Sequence, residues 1–160
     1  MLTQICQYLR NWFDKAPSGA DLPKFYGLFK VENGALTFSN GTGLPLVDGQ
    51  YYRLMGSRFS DGVRIWGDVS DILADEPAFS GAVWDMRVPP EIVDLAAEVE
   101  AWSAKYAGAD SAAMSPFQAE SFGGYSYSKS SGASADGIGG TVTGSWQSAF
   151  AARLNPWRKM

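Results

Sequence analysis

Histidine is absent from the 160 residues, and cysteine occurs once, as Cys6. Without histidine the chain lacks the side chain that most often serves as a general base near neutral pH, and it lacks the commonest transition-metal ligand. Catalysis would have to rest on carboxylates, lysine, tyrosine or Cys6, so an enzymatic role, a metal and a cofactor are not expected. A single cysteine also rules out an intramolecular disulfide. No stretch approaches the roughly 20 apolar residues of a membrane helix, and no basic, apolar and small-residue order marks a signal peptide, so a soluble, non-exported chain without a membrane partner is expected. Basic residues are outnumbered, 13 against 17, for a formal charge of -4 and a pI near 4.7. That balance argues against a protein that grips DNA, because such affinity comes largely from clustered Lys and Arg.

What is present is an ordinary globular share of apolar residues, 46%, with 14% aromatics. Residues 1–16 read as an amphipathic helix, with Leu2, Ile5, Cys6, Leu9, Trp12 and Phe13 on one face and a stop near Ala16-Pro17-Ser18-Gly19. Across residues 22–87 the period changes to two, and turns recur at Asn33-Gly34, Asp48-Gly49 and Asp61-Gly62. Strands are predicted at Phe25 to Glu32, Ala35 to Ser39, Gln50 to Ser57, Gly62 to Trp66 and Gly81 to Met86, with Asp68 to Phe79 as a crossing that holds one helical turn. Pro89 and Pro90 open a helix within 88–107, whose apolar face is Ile92, Leu95, Ala96, Val99, Trp102 and Tyr106. Residues 108–144 are rich in Gly, Ser and Ala, a composition that rarely packs alone. In 145–160, Ser145 is placed to cap a last helix bearing Trp146, Phe150 and Leu154, ahead of a basic tail. The fold class is therefore α+β: an N-terminal helix, a small antiparallel barrel-like module, a long helix, an extended arm and a terminal helix.

Several features could carry chemistry, and each has a plainer reading. Gly137-Ile138-Gly139-Gly140 lacks the Lys-Ser or Lys-Thr pair of a phosphate loop. Asp68, Asp71, Asp75 and Glu76 form an acidic run without EF-hand spacing, which reads as a solvated loop. Cys6 sits on the apolar helix face and reads as a core residue. Asn40-Gly41-Thr42 reads as a turn. Trp66 and Trp84 fall in strands and are assigned to the core, whereas Tyr125, Tyr127, Trp146 and Trp157 lie in or beside the arm and are assigned to interfaces.

The arm carries Glu120-Ser121-Phe122-Gly123-Gly124-Tyr125-Ser126-Tyr127-Ser128, and the chain closes on Leu154-Asn155-Pro156-Trp157-Arg158-Lys159. Together with the helix from Pro89, this last third resembles the C-terminal region of the head-tail connector proteins of tailed phages, also called adaptor or head-completion proteins. The resemblance implies a virion structural protein in the neck, made in the host cytoplasm: a homo-oligomeric ring, a dodecamer matching the portal. Such a ring binds the portal above and a stopper or tail-terminator protein below, and phage DNA passes through it without specific binding. It further implies that Phe117, Glu120, Phe122, Gly123, Gly124, Tyr125, Ser126, Tyr127, Trp146, Leu154, Trp157, Arg158 and Lys159 serve inter-subunit or portal contacts. The middle β module departs from the mostly helical members. Two alternatives stay open: a stopper or tail-completion protein of the same neck, and a small-ligand binding module whose pocket is lined by Tyr51, Tyr52 and Trp66.

Overall fold

The computed structural model describes residues 1–106, 119–122, 125–128 and 145–159, with side chains through residue 104 and over 145–159. Helix α1 (Leu2–Leu9) buries Ile5, Cys6 and Leu9, as its apolar spacing requires. It stops at Leu9, well short of the expected stop near Ala16 and before the last two residues of the expected apolar face, Trp12 and Phe13. Arg10 takes a left-handed conformation (φ 52°), and Asn11 Oδ1 accepts from the Phe13 amide at 3.0 Å, so a local side-chain bond replaces the next helical turn. Phe13 is nevertheless buried, because the turn carries its ring back onto the helical side of the core.

Strands β1 (Lys24–Glu32), β2 (Ala35–Phe38), β3 (Tyr51–Met55), β4 (Gly62–Ile65) and β5 (Glu76–Met86) form one antiparallel sheet in the order β2-β1-β5-β3-β4, curled into a half-barrel. β5 is the central strand and is longer than its sequence announces. Glu76 pairs with Val31 and Phe79 with Phe29, so the last third of the expected crossing belongs to the sheet. The remainder, Asp68 to Asp75, holds one turn, closed by the Asp71 amide on the Asp68 carbonyl at 3.2 Å, and no helix. The reason is packing: Phe79 falls on the inner face beside Phe29, and burying its ring there outweighs any local preference. Where β3 leaves β5 the backbones nearly touch. A Cβ on Gly56 (φ +94°) or Gly81 would overlap the Ser80 or Met55 carbonyl oxygen, so glycine is required at both positions and the sheet can coil tightly.

Alternation along the strands divides the core in two. The concave face gathers Phe29, Val31, Leu36, Tyr52, Leu54, Phe79 and Val83, closed by Leu44, Leu46 and Leu73 from the connections. The opposite face is covered in part by helices. Helix α2 (Pro90–Tyr106) presents Ile92, Leu95, Ala96 and Val99 to α1 and to Met86 and Val88.

The single terminal helix expected after Ser145 is three short pieces: α3 (Trp146–Ala149), α4 (Ala151–Leu154) and a 3-10 turn, Asn155–Trp157. Ser145 caps the first, its hydroxyl accepting from the Ser148 amide at 3.4 Å. Phe150 and Leu154 complete the helical core. Within the Gly/Ser-rich stretch, β6 (Ala119–Phe122) pairs antiparallel with β7 (Tyr125–Ser128), Phe122 opposite Tyr125. Phe117, Gly123 and Gly124 lie outside the described residues, as do the side chains of Glu120, Phe122, Tyr125, Ser126 and Tyr127.

Candidate interaction surface

The C-terminal residues assigned to contacts with other subunits are used first on this chain's own N-terminus. Trp146 packs edge-on against Tyr8 at 5.5 Å, and Trp157 against Phe13 at 6.2 Å. Asn11 Nδ2 donates to the Trp157 carbonyl at 2.9 Å, and the Lys159 amide donates to the Leu9 carbonyl at 3.0 Å, satisfying an acceptor that the end of α1 leaves open. Leu154 has no exposed surface at all. Its expected place at an inter-subunit surface is thereby corrected: at four-residue spacing from Phe150 it falls on the stripe that the chain's own core claims. Trp146 and Trp157 remain half-buried, while Arg158 and Lys159 are exposed. The Arg158 guanidinium lies 5.7 Å from the Tyr8 ring centre, and Lys159 Nζ stands 3.8 Å from Asp14 Oδ1. Arg153 grips Glu98 of α2 through both guanidinium nitrogens, a pair exposed by about half on each side.

At the open side of the half-barrel lies a cleft of about 580 Å³, lined by Leu36, Thr37, Tyr52, Trp66, Ile72 and Leu73 among others. Tyr52 and Trp66, expected in a ligand pocket, do meet there, ring centres 5.7 Å apart. Tyr51 does not, because strand alternation turns it to the opposite face against the helical cluster. Burial, helped by the charge of Asp71, pushes the Tyr52 phenol up to about 12. The acidic run beside the cleft is occupied: Asp71 pairs with Arg64, Asp68 accepts from Ser70, and Asp75 accepts from the Gly34 amide. Glu76, 8% exposed, accepts from the Ser57 hydroxyl at 2.6 Å and the Arg58 amide at 2.9 Å, bonds that hold its carboxyl below the usual range. No group of acidic, His or Cys residues among the described ones could hold a metal ion. Cys6 is buried, which pushes its thiol up to about 12 and leaves it a poor nucleophile.

The convex face of the sheet carries an arrangement that sequence patterns did not disclose. Lys24, Trp84 and Arg53 are direct cross-strand neighbours on β1, β5 and β3. Lys24 Nζ lies 4.4 Å from the Trp84 ring centre, and the Arg53 guanidinium lies 5.2 Å from the same ring and 3.5 Å from that of Trp12. Trp84, assigned from its strand to the core, is instead a half-buried ring flanked by two cations. Lys24 has a carboxylate partner, Asp14 Oδ2, at 2.7 Å. Arg53 has neither a hydrogen bond nor an ion pair among the described residues. Its burial pulls the pKa below the ordinary guanidinium value, opposed by the charge of Asp61. Trp84 Nε1 is buried without a hydrogen-bond partner among the described residues. The adjoining row of the same face, Tyr26 opposite Ala82 opposite Met55, continues to Leu28, and Tyr26 and Leu28 are 65% and 55% exposed.

Compared with protein-family models, curated proteins and solved structures, the chain finds no match. The surface is therefore interpreted from its own chemistry. The one sequence cue to it was a lone arginine at an outward strand position, between the inward Tyr52 and Leu54. Trp12 could not be assigned to it, because a helix was expected where the chain turns.

Proposed function

We propose that this chain is a structural subunit of a tailed-phage neck, an adaptor that forms a ring between the portal and the stopper or tail. The half-barrel and helices form its compact body, and residues 108–144 form the arm that engages a neighbour. The observation that carries the reading is that the segment is rooted at both ends on one rigid cluster. α2 leads into it, and α3 and α4 return from it packed on α2, with Trp102 against Phe150 at 6.3 Å and Glu98 against Arg153. A loop of this length, run out and back, reaches roughly 60 Å, beyond the roughly 35 Å width of a body this size. A Gly/Ser-rich loop with a short aromatic hairpin gains little by folding alone and orders when laid on another surface. Contacts of that kind are heterologous, and they close into a ring where the rotation between neighbours allows it. The acidic balance suits a channel through which DNA slides, because like charge opposes sticking.

The test replaces residues 108–144 by a short Gly/Ser linker and measures particle mass and portal binding by light scattering and co-sedimentation. The parent is expected to form closed rings, alone or on the portal, and the linker variant to stay folded and monomeric. A linker variant that assembles like the parent overturns the reading. Deleting through residue 160 would not serve, because it removes Phe150 and Leu154 from the core. The cleft holding Tyr52 and Trp66 favours a second reading, a small-ligand module, under which the linker variant retains ligand binding and the parent never assembles.

A further inference from the structure

We infer that the convex sheet face around Arg53 is the landing surface for residues 107–144 of a second copy of this chain, with a carboxylate of that segment closing on the Arg53 guanidinium. The inference rests on the reading of this segment as an interaction arm and adds where the arm lands.

The row Lys24–Trp84–Arg53–Trp12 alternates cation and ring, yet its two cations are treated differently. Lys24 has Asp14 at 2.7 Å; Arg53 has the ring faces of Trp12 and Trp84 and the charge of Asp61, but no carboxylate bonded to it among the described residues. Stacking meets the charge of a guanidinium from above and below but leaves its in-plane N–H donors without acceptors. Those donors form a planar fork whose matching partner is a carboxylate. Beside this polar point lie Tyr26 and Leu28, the most exposed large apolar side chains on the sheet itself. An occupant must therefore bring both a carboxylate and apolar or aromatic side chains.

Residues 107–144 have that composition: Asp110, Glu120 and Asp136 against one cation, Lys129, with Phe117, Phe122, Tyr125 and Tyr127. An arm from one subunit on the sheet of the next is a head-to-tail contact, which propagates around a ring.

Two full-length variants test the landing surface. Arg53→Gln removes the charge while keeping a side chain that stacks, and Leu28→Glu sets a like charge before an acidic arm at a position too exposed to disturb the fold. Sedimentation over a wide concentration range is expected to show the parent associating, and either variant needing about tenfold more protein or worse, with circular dichroism unchanged. Mixing Arg53→Gln, which keeps its arm, with the linker variant, which keeps its Arg53 face, is expected to give one-to-one pairs where neither associates alone. A parent that stays monomeric to millimolar concentration, either variant assembling like the parent, or a mixture that stays monomeric overturns the landing surface. The neck reading is decided separately, by whether the parent binds portal and the linker variant does not.

Discussion

The two hydrophobic clusters, one on each side of the sheet, are assembled from different parts of the chain. The concave cluster draws on residues between Phe29 and Val83, most of them in strands, with Leu44, Leu46 and Leu73 from the two longer connections. The helical cluster draws on Ile5 to Phe13, Met86 to Val99, and Phe150 and Leu154, so it ties both ends of the described chain to its middle. The first closes once β5 has entered between β1 and β3, whereas the second must wait for the last residues to return. The difference teaches why a long segment can be inserted between α2 and α3. The sheet does not depend on that region, and the terminal pieces need only be held near α2 for the helical core to close.

The largest effect expected is from Phe29→Ala. The ring is fully buried and packs on Phe38 at 5.0 Å and on Phe79 at 6.1 Å, so truncation should cost about 3–5 kcal/mol and lower a single thermal transition. Leu154→Ala should cost about 2–5 kcal/mol by the same reasoning. There the comparison can be broken. The terminal pieces are expected to detach before the sheet melts, so the fluorescence change of Trp146 and Trp157 precedes the loss of far-ultraviolet signal. Coincident transitions in Leu154→Ala would make the two clusters one cooperative unit.

A smaller effect concerns Asp14, which joins the start of the sheet to the returning tail. Burial pushes its carboxyl up, but the hydrogen bond from Lys24 and the charges of Lys24 and Lys159 outweigh this and hold it below the usual value of 3.8. A carboxyl depressed in the folded state contributes stability that is present above pH 3.8 and lost as pH falls through the folded value. Asp14→Asn should cost about 1–2 kcal/mol near neutrality and flatten the acid limb of a denaturant-versus-pH series below pH 4. The smallest effect should come from Glu98→Gln. Its bond to Arg153 is exposed, worth about 0.3–0.5 kcal/mol and screened by salt, so a chemical-denaturation midpoint should barely move. A larger loss there would mean that this pair, rather than Phe150 and Leu154, holds the tail.

Element type was legible wherever a period was strong. All five strands of the half-barrel were located within a few residues except at β5, whose first half carries Glu76, Pro77 and Ala78 and looks like a loop until Phe79 is seen against Phe29. The first helix was drawn too long because Trp12 and Phe13 fit its apolar face, and nothing in that spacing shows that Asn11 captures the Phe13 amide. The candidate surface was less legible. Tyr52 and Trp66 could be placed together, since both lie on one face of neighbouring strands. The stack of Trp12 on Arg53 joins two segments far apart in sequence, and the exposure of Tyr26 and Leu28 depends on how far the helices extend across the sheet.

The sequence by itself determined that histidine chemistry and an intramolecular disulfide are excluded, and it determined the strand and helix periods that divide the chain. Local composition and spacing suffice for this, because side-chain chemistry and backbone periodicity are properties of neighbouring residues. Only the tertiary structure decided that Leu154 belongs to the core, that both ends of the described chain share one cluster, and that Lys24 pairs with a carboxylate while Arg53 pairs with none among the described residues. Those outcomes depend on which distant side chains compete for the same buried volume and the same partner, and that competition is resolved only when the whole chain packs.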